Sequence, residues 1–181
     1  MSGQAVELTA RCQSLDGRVL SLRRLGADDT EAIVALHQHL TDYDRYFRFF
    51  TLHPVDLDKL VGELIEPAIG QYALGACDGD RLIGVANYTV CEDPREAEIA
   101  IAVAHEDHLR GVGTALLRRL AHIARTHGIR RFVADILANN HLMLKVLSDF
   151  GWPCKHLTSG AIRHLENELP ECLTLGTNPS E

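Results

Sequence analysis

No surplus of positive charge runs through this sequence: 18 Lys+Arg stand against 25 Asp+Glu, a formal net charge of −7. Non-specific polyanion binding depends on excess basic charge, so nucleic acid is not an expected partner. Nor do about 18 apolar residues run together anywhere, and the opening MSGQAVELTARCQ has no apolar core behind a basic segment. Neither a membrane span nor a signal peptide is expected. Cysteine pairing is missing too. Cys12, Cys77, Cys91, Cys154 and Cys172 are odd in number, scattered and without a CxxC, which excludes a disulfide framework or zinc ribbon and fits free thiols in a cytoplasmic protein. Proline and glycine are sparse, 6 and 14 in 181 residues, far from collagenous or low-complexity composition.

What is present reads as one globular domain, 46% hydrophobic and 24% charged, long enough to bury about 70% of its unfolded surface. Residues 1–17 form a lead-in without sustained period, 18–170 the domain, and 171–181 a polar tail. Arg18 to Leu25 alternates like a strand and stops at Gly26. Asp28, Asp29 and Thr30 are cap candidates for a helix carrying Ile33, Leu36 and Leu40; Thr41 caps a second, short helix; a third begins at Pro54 and ends at Pro67. Tyr72 to Cys77 and Leu82 to Val90 then flank the turn Asp78-Gly79-Asp80 as a hairpin. Glu96 to Ala104 reads as a central strand with both faces covered beyond Glu98. A helix from Val112 to Gly128, a strand over 131–137, a helix opened by Asn139-Asn140 and closed by Gly151, and one or two strands between Trp152 and Leu175 complete a mixed α/β order.

The junction between the strand ending at Ala104 and the helix at Val112 carries the chemistry. A glycine-rich turn there aims unpaired backbone N–H groups and the positive helix end at one point, which suits a diphosphate. Gly111 and Gly113 let the backbone approach closely, although two glycines before a helix equally serve as ordinary turn chemistry. There is no GK[ST] for a Walker loop, and Leu116 stands in place of the third Rossmann glycine. Arginines bunch at Arg118, Arg119, Arg125, Arg130 and Arg131, a basic patch for a small anion within an acidic total.

The stretch HLRGVGTALL, followed by ILANNHLMLKVLSDFGW, resembles the two ordered motifs of the GNAT superfamily of N-acetyltransferases. More narrowly, Arg48-Phe49-Phe50, Ala97-Glu98-Ile99-Ala100 and Asn140-His141-Leu142-Met143 are similar to elements of bacterial Pat-type protein lysine acetyltransferases. The resemblance implies a single-domain α/β fold, a largely antiparallel sheet flanked by helices, with acetyl-CoA at the splayed central strands. It implies that Ile101, Ala102 and Val103 offer backbone groups to the pantetheine arm, that Leu109, Arg110, Gly111, Val112, Gly113 and Thr114 cradle the pyrophosphate, and that Asn140 and Met143 meet the pantetheine region. His108 replaces the usual Gln or Arg opening the first motif, and Leu147 stands where many relatives carry a Tyr acid. It further implies a protein lysine acceptor, an acyl-CoA synthetase being one such target, and a monomer or homodimer. Relatives often carry a fused regulatory domain, for which this chain has no room.

An acceptor lysine is neutral in only about one molecule in 2500 at pH 7, a handicap of roughly 4.6 kcal/mol for attack on a thioester. Glu98, beside small Ala100 and Ala102, is the expected base, with desolvation raising its basicity and Glu96 in reserve on the same face. A solvated strand end is the plainer alternative for Glu98. Val103 N–H is the expected oxyanion donor. Tyr43 and Asp44 are the expected substrate contacts, while packing explains most of the cluster Tyr43, Tyr46, Phe47, Phe49 and Phe50. No metal is expected: His105 and His108 are spaced i to i+3 in a turn rather than as HExxH, and surface solvation accounts for the ten histidines. Transfer to a small amine and a non-catalytic acetyl-CoA sensor are the competing functions.

Overall fold

A computed structural model describes residues 9–51, 53–66, 68–152 and 160–170. Its elements are β1 (Ala10–Gln13), β2 (Val19–Arg24), α1 (Thr30–Gln38), α2 (Asp42–Phe49), α3 (Leu57–Ile65), β3 (Gln71–Asp78), β4 (Arg81–Val90), β5 (Glu96–Val103), α4 (Val112–Thr126), β6 (Arg131–Leu137), α5 (His141–Phe150) and β7 (Ile162–Glu168). The strands form one sheet in sequence order, antiparallel everywhere except between β5 and β6. That one parallel step follows from α4, which carries the chain back across the sheet as a crossover requires.

Sequence period and structure agree from β2 onward, with differences at the edges. β1 lies within the expected lead-in: Ala10 to Gln13 pairs with Leu22 to Val19, and its four alternately half-buried residues are too few to show a period. α3 starts at Leu57 rather than Pro54, because the Asp56 carboxylate accepts from Lys59 N–H and fixes the first turn. Asp29 is not a side-chain cap; its carboxylate grips Arg23 at 2.6 and 2.8 Å and takes Gly26 N–H at 2.9 Å. The expected strand positions after Trp152 fall partly on 153–159 and 171–175, outside the described residues. Cys12, Cys77 and Cys91 are free thiols, while Cys154 and Cys172 also lie outside.

Two cores sandwich the sheet. On one face Leu116, Leu117 and Leu120 of α4 and Leu147 of α5 pack against Leu74, Ile83, Tyr88, Ile99 and Phe132. Ile33 and Leu36 of α1 and Leu60, Val61 and Leu64 of α3 cover Ala73, Val85 and Ala104 on the other. α2 is different, with none of its side chains fully buried; the aromatic cluster is therefore half-open wall rather than core, and Phe50 is exposed.

His37 departs from the expectation of solvated histidines. It is buried, one ring nitrogen bonded to the Ile33 carbonyl at 2.8 Å. Burial, helped by the Arg48 cation nearby, holds its pKa below the ordinary histidine value. The unfolded chain takes up a proton there as pH falls through about 6.5, and the folded chain does not. Stability is therefore lost on acidification and present above that pH. Urea unfolding between pH 7.5 and 5.5 should show a smaller acid loss for His37→Leu than for the parent.

Candidate active site

β5 and β6 are register partners only from Glu96↔Arg131 to Glu98↔Val133. Beyond that the strands part, while β5 stays paired with β4 as far as Val103. Bonds from Cys91 N–H to Glu96 at 2.9 Å and from Ala104 N–H to Ile83 at 2.8 Å bracket this antiparallel ladder. Its alternation gives the backbone groups of Glu98, Ala100 and Ala102 to β4 and turns those of Ile101 and Val103 toward the space β6 has left. A cleft occupies that space.

The N-terminus of α4 opens into it. Gly111 is the N-cap, at φ 81°, and offers no side-chain cap, so the first N–H groups of the helix face outward. Leu109, just before, also has a positive φ of 60°, a conformation costly for a branched side chain. Gly113 is a packing glycine: a Cβ there would stand 2.9 Å from Val146 of α5, so only hydrogen lets α4 and α5 approach this closely beside the cleft.

Ion pairs hold the turn. Asp107 is 1% exposed and accepts from Arg18 and Arg81, each at 2.8 Å. Arg18 also reaches Asp78 at 2.6 Å and Asp16 at 3.0 Å; these carboxylates keep its guanidinium firmly charged. The β1–β2 turn, the β3–β4 turn and the segment before α4 are thereby tied to one buried carboxylate.

The cleft lining runs from the glycine turn to α2. Ile101, Ala102, Val103, His108, Leu109, Gly111, Val112, Gly113, Thr114, Asn140 and Met143 all border it, as does Asp44. Asn140 Oδ1 is committed as the α5 cap, accepting Met143 N–H at 3.0 Å, which leaves its amide NH₂ for a ligand. His108 Nε2 donates to the Val103 carbonyl at 3.0 Å and so fixes the last peptide of β5.

Three expected site residues stand elsewhere. Arg110 turns its guanidinium to Asp16 at 2.9 Å and is not part of the lining. Tyr43 is 67% exposed and packs edge-on against Phe47. Glu98 is exposed, outside the lining, at the point where the strands part; the desolvation expected from Ala100 and Ala102 is absent, since small neighbours leave the carboxylate uncovered. The basic patch is divided: Arg118 donates to the carbonyl of Asp149, which borders the cleft, but the other end of the patch lies away from the turn. Arg125, Arg130 and Arg131 line a separate cavity with Arg95, at the other end of a helix roughly 22 Å long. The cationic side chains that do border the cleft are Arg48 and Lys145.

Arg48 was not singled out as a site residue by the sequence. It borders the cleft, donates to Asn87 Oδ1 at 3.3 Å and lies over the Phe49 ring. No carboxylate pairs with it among the described residues. Burial pushes its pKa down to about 10, partly offset by Glu63 and Glu98, so it remains a cation at pH 7. A cation so placed shows only in tertiary structure.

A glycine turn at a helix N-terminus beside two parted strands recurs in known proteins, and the Acetyltransferase (GNAT) family model matches residues 33–152. The chain belongs to the GNAT acetyltransferases. A curated acetyltransferase of Pseudomonas aeruginosa is 29% identical over 154 residues, covering 82% of this chain and 83% of the relative. The GNAT domain of S. lividans PAT superposes with a TM-score of 0.80 at 30% identity, over 89% of this chain and 97% of that one. The yncA acetyltransferase of Salmonella typhimurium, solved with acetyl-CoA, has a TM-score of 0.65 at 19% identity, over 84% and 95% of the two chains. The open mixed sheet, the parted strands and the helix-end turn of this acetyltransferase thus form a single-domain GNAT fold.

Losing Asp107 removes its bonds to Arg18 and Arg81 but leaves those arginines paired with Asp16, Asp78 and Glu106. Asp107→Ala should therefore cost about 1–3 kcal/mol of stability, measured as a fall in the urea midpoint.

Proposed function

We propose that this acetyltransferase uses acetyl-CoA to acetylate the side-chain amine of a lysine in another protein, with Glu98 accepting the amine's proton. The observation that carries the acceptor class is the sheet face on which Glu98 stands. Register places Glu98 and Val133 side by side, Val133 opposite Glu166, and Asp135 opposite His164, so Glu96, Glu98, Asp135, Glu166 and Glu168 share one face. Glu98, Asp135, Glu166 and Glu168 are exposed. His164, 2.7 Å from Asp135 and 3.5 Å from Glu166, has its pKa raised first by Asp135, and Arg131 pairs with Glu166 and Glu168. Carboxylates remain in excess. A broad acidic face beside the cleft attracts a basic, lysine-bearing surface.

The cradle fits acetyl-CoA on its own chemistry. Outward N–H groups at Val112, Gly113 and Thr114 suit a diphosphate, and the backbone of Ile101 and Val103 suits amides of a pantetheine arm. When bound, acetyl-CoA supplies an activated acetyl thioester. Everything else is done by the chain: Glu98 removes the proton that blocks the amine lone pair, Val103 N–H stands ready for negative charge on oxygen, and His108 steadies the following peptide by donating to the Val103 carbonyl. With Leu147 in place of a tyrosine acid, departure relies on the low basicity of a thiolate, whose acid has a pKa near about 8.5.

Arg48 favours a second reading. A cation in the cleft with no carboxylate partner among the described residues suits a small amine that also carries a carboxylate, and such an acceptor would not need the acidic face.

Glu98→Gln should lower turnover by about 10² to 10⁴ while calorimetry shows unchanged acetyl-CoA affinity; undiminished turnover across pH removes Glu98 from the reaction. To separate the acceptors, labelled acetyl-CoA is incubated with enzyme and either a protein mixture containing acyl-CoA synthetases or a panel of amino acids and polyamines. Mass spectrometry should find label on protein lysines. Label confined to small amines would establish the second reading, and cofactor binding without transfer to anything would make the protein a sensor.

A further inference from the structure

Asp44 is distant in the chain from His105 and His108, and the three meet at the mouth of the cleft. His105 Nδ1 lies 3.0 Å from Asp44 Oδ2, His108 Nε2 lies 3.9 Å from Asp44 Oδ1, and one ligand atom from each residue falls within 4.8 Å of the others. The two imidazoles stand edge to face, centroids 5.1 Å apart. One carboxylate and two imidazoles is a donor set preferred by late divalent cations, zinc foremost. The histidines are spaced i to i+3 in a turn, which is not the HExxH pattern, and a two-histidine motif on its own does not reveal a ligand from another element. The third comes from α2.

Asp44 is also oriented from behind, as ligands in working metal sites are. The Thr41 hydroxyl donates to Asp44 Oδ2 at 2.6 Å, and the Asp44 side chain is only 11% exposed. His105 is 64% exposed, so one side of the cluster is open to entering ions.

We propose that Asp44, His105 and His108 bind a zinc-type divalent cation, with a fourth position left open toward the cleft. Binding moves the proton of each ligating nitrogen to the other nitrogen of its ring, so neither histidine changes charge. His108 Nε2 gives up the Val103 carbonyl, and α2 becomes tied to the segment leading into α4. Asp44, His108 and Val103 all border the cleft, so an occupied site disturbs the wall along which the pantetheine arm is proposed to run. Cation and acetyl-CoA then oppose each other by the same factor in both directions. This antagonism, unlike the site itself, rests on the acetyl-CoA reading of the cleft.

Cobalt(II) is the probe for the site. Titrated into the full chain, Co²⁺ should give visible absorption of tetrahedral intensity saturating at one equivalent, without the near-ultraviolet band of a cobalt thiolate. His105→Gln and Asp44→Asn should each weaken that binding at least about tenfold; His105 is exposed, and melting curves check that both variants fold. No saturable band, or a band unaltered in His105→Gln, overturns the site. Calorimetry with acetyl-CoA, with and without Zn²⁺, reads the antagonism. About tenfold weaker binding in zinc, restored in His105→Gln, is the expected result. Equal affinity with zinc bound overturns the antagonism, whereas no acetyl-CoA binding even without zinc is failure of the cofactor reading.

Discussion

The parting of β5 from β6 after Glu98 and Val133 is the constraint on which the functional architecture rests. A sheet normally consumes the hydrogen-bonding capacity of its strands, and buried backbone groups left over are costly. Here β4 satisfies one side of β5 along its whole length, and among the described residues no strand pairs with the other side over its last residues, the Val103 carbonyl taking a bond from His108 instead. That free edge is what a chain-like ligand bearing amides can complete. Closing the gap would yield a better sheet and remove the cleft, so the fold has to keep the strands apart.

Packing at the far end keeps them apart. α4 and α5 meet through Gly113 and Val146, filling the angle from one face, while Ala104 N–H ties the end of β5 to Ile83 and β4. The segment that turns from β5 into α4 has little apolar material of its own. It is fixed by Asp107, whose burial is tolerable only because Arg18 of the β1–β2 turn and Arg81 of β4 both reach it. Electrostatics places the turn, and the turn places the helix N-terminus.

The parts legible in the sequence are those written locally. Alternation over Glu96 to Ala104, glycines before Val112 and the cap at Asn140 each reflect a neighbour within a few residues, and the structure has the strand, the turn and the cap where they were expected. What sequence could not show depends on strands brought together from afar. Glu98 reads as covered until the register shows that it shares a face with Asp135 and Glu166, exposed side chains all. The arginine bunch reads as an anion site until the length of α4 carries Arg125 away from the glycine turn. Arg48, His37 and the meeting of Asp44 with two histidines have no short-range signal at all. β1 was lost for another reason: four edge residues with only one face half-covered carry too little pattern.

Leu15, in the β1–β2 turn, is 79% exposed, an odd place for leucine until its backbone is followed. Its N–H donates to the Arg110 carbonyl at 3.0 Å, Asp16 beside it holds the Arg110 side chain, and its own side chain lies where a Cβ on Gly111 would have to go. The outermost hairpin of the sheet is thus a brace for the glycine turn, though three strands separate β2 from β6. Anything that pulls on the first strand, whether a tag, a fused partner or a bound protein, is mechanically in series with the glycine turn. The edge of this fold is a lever on its centre.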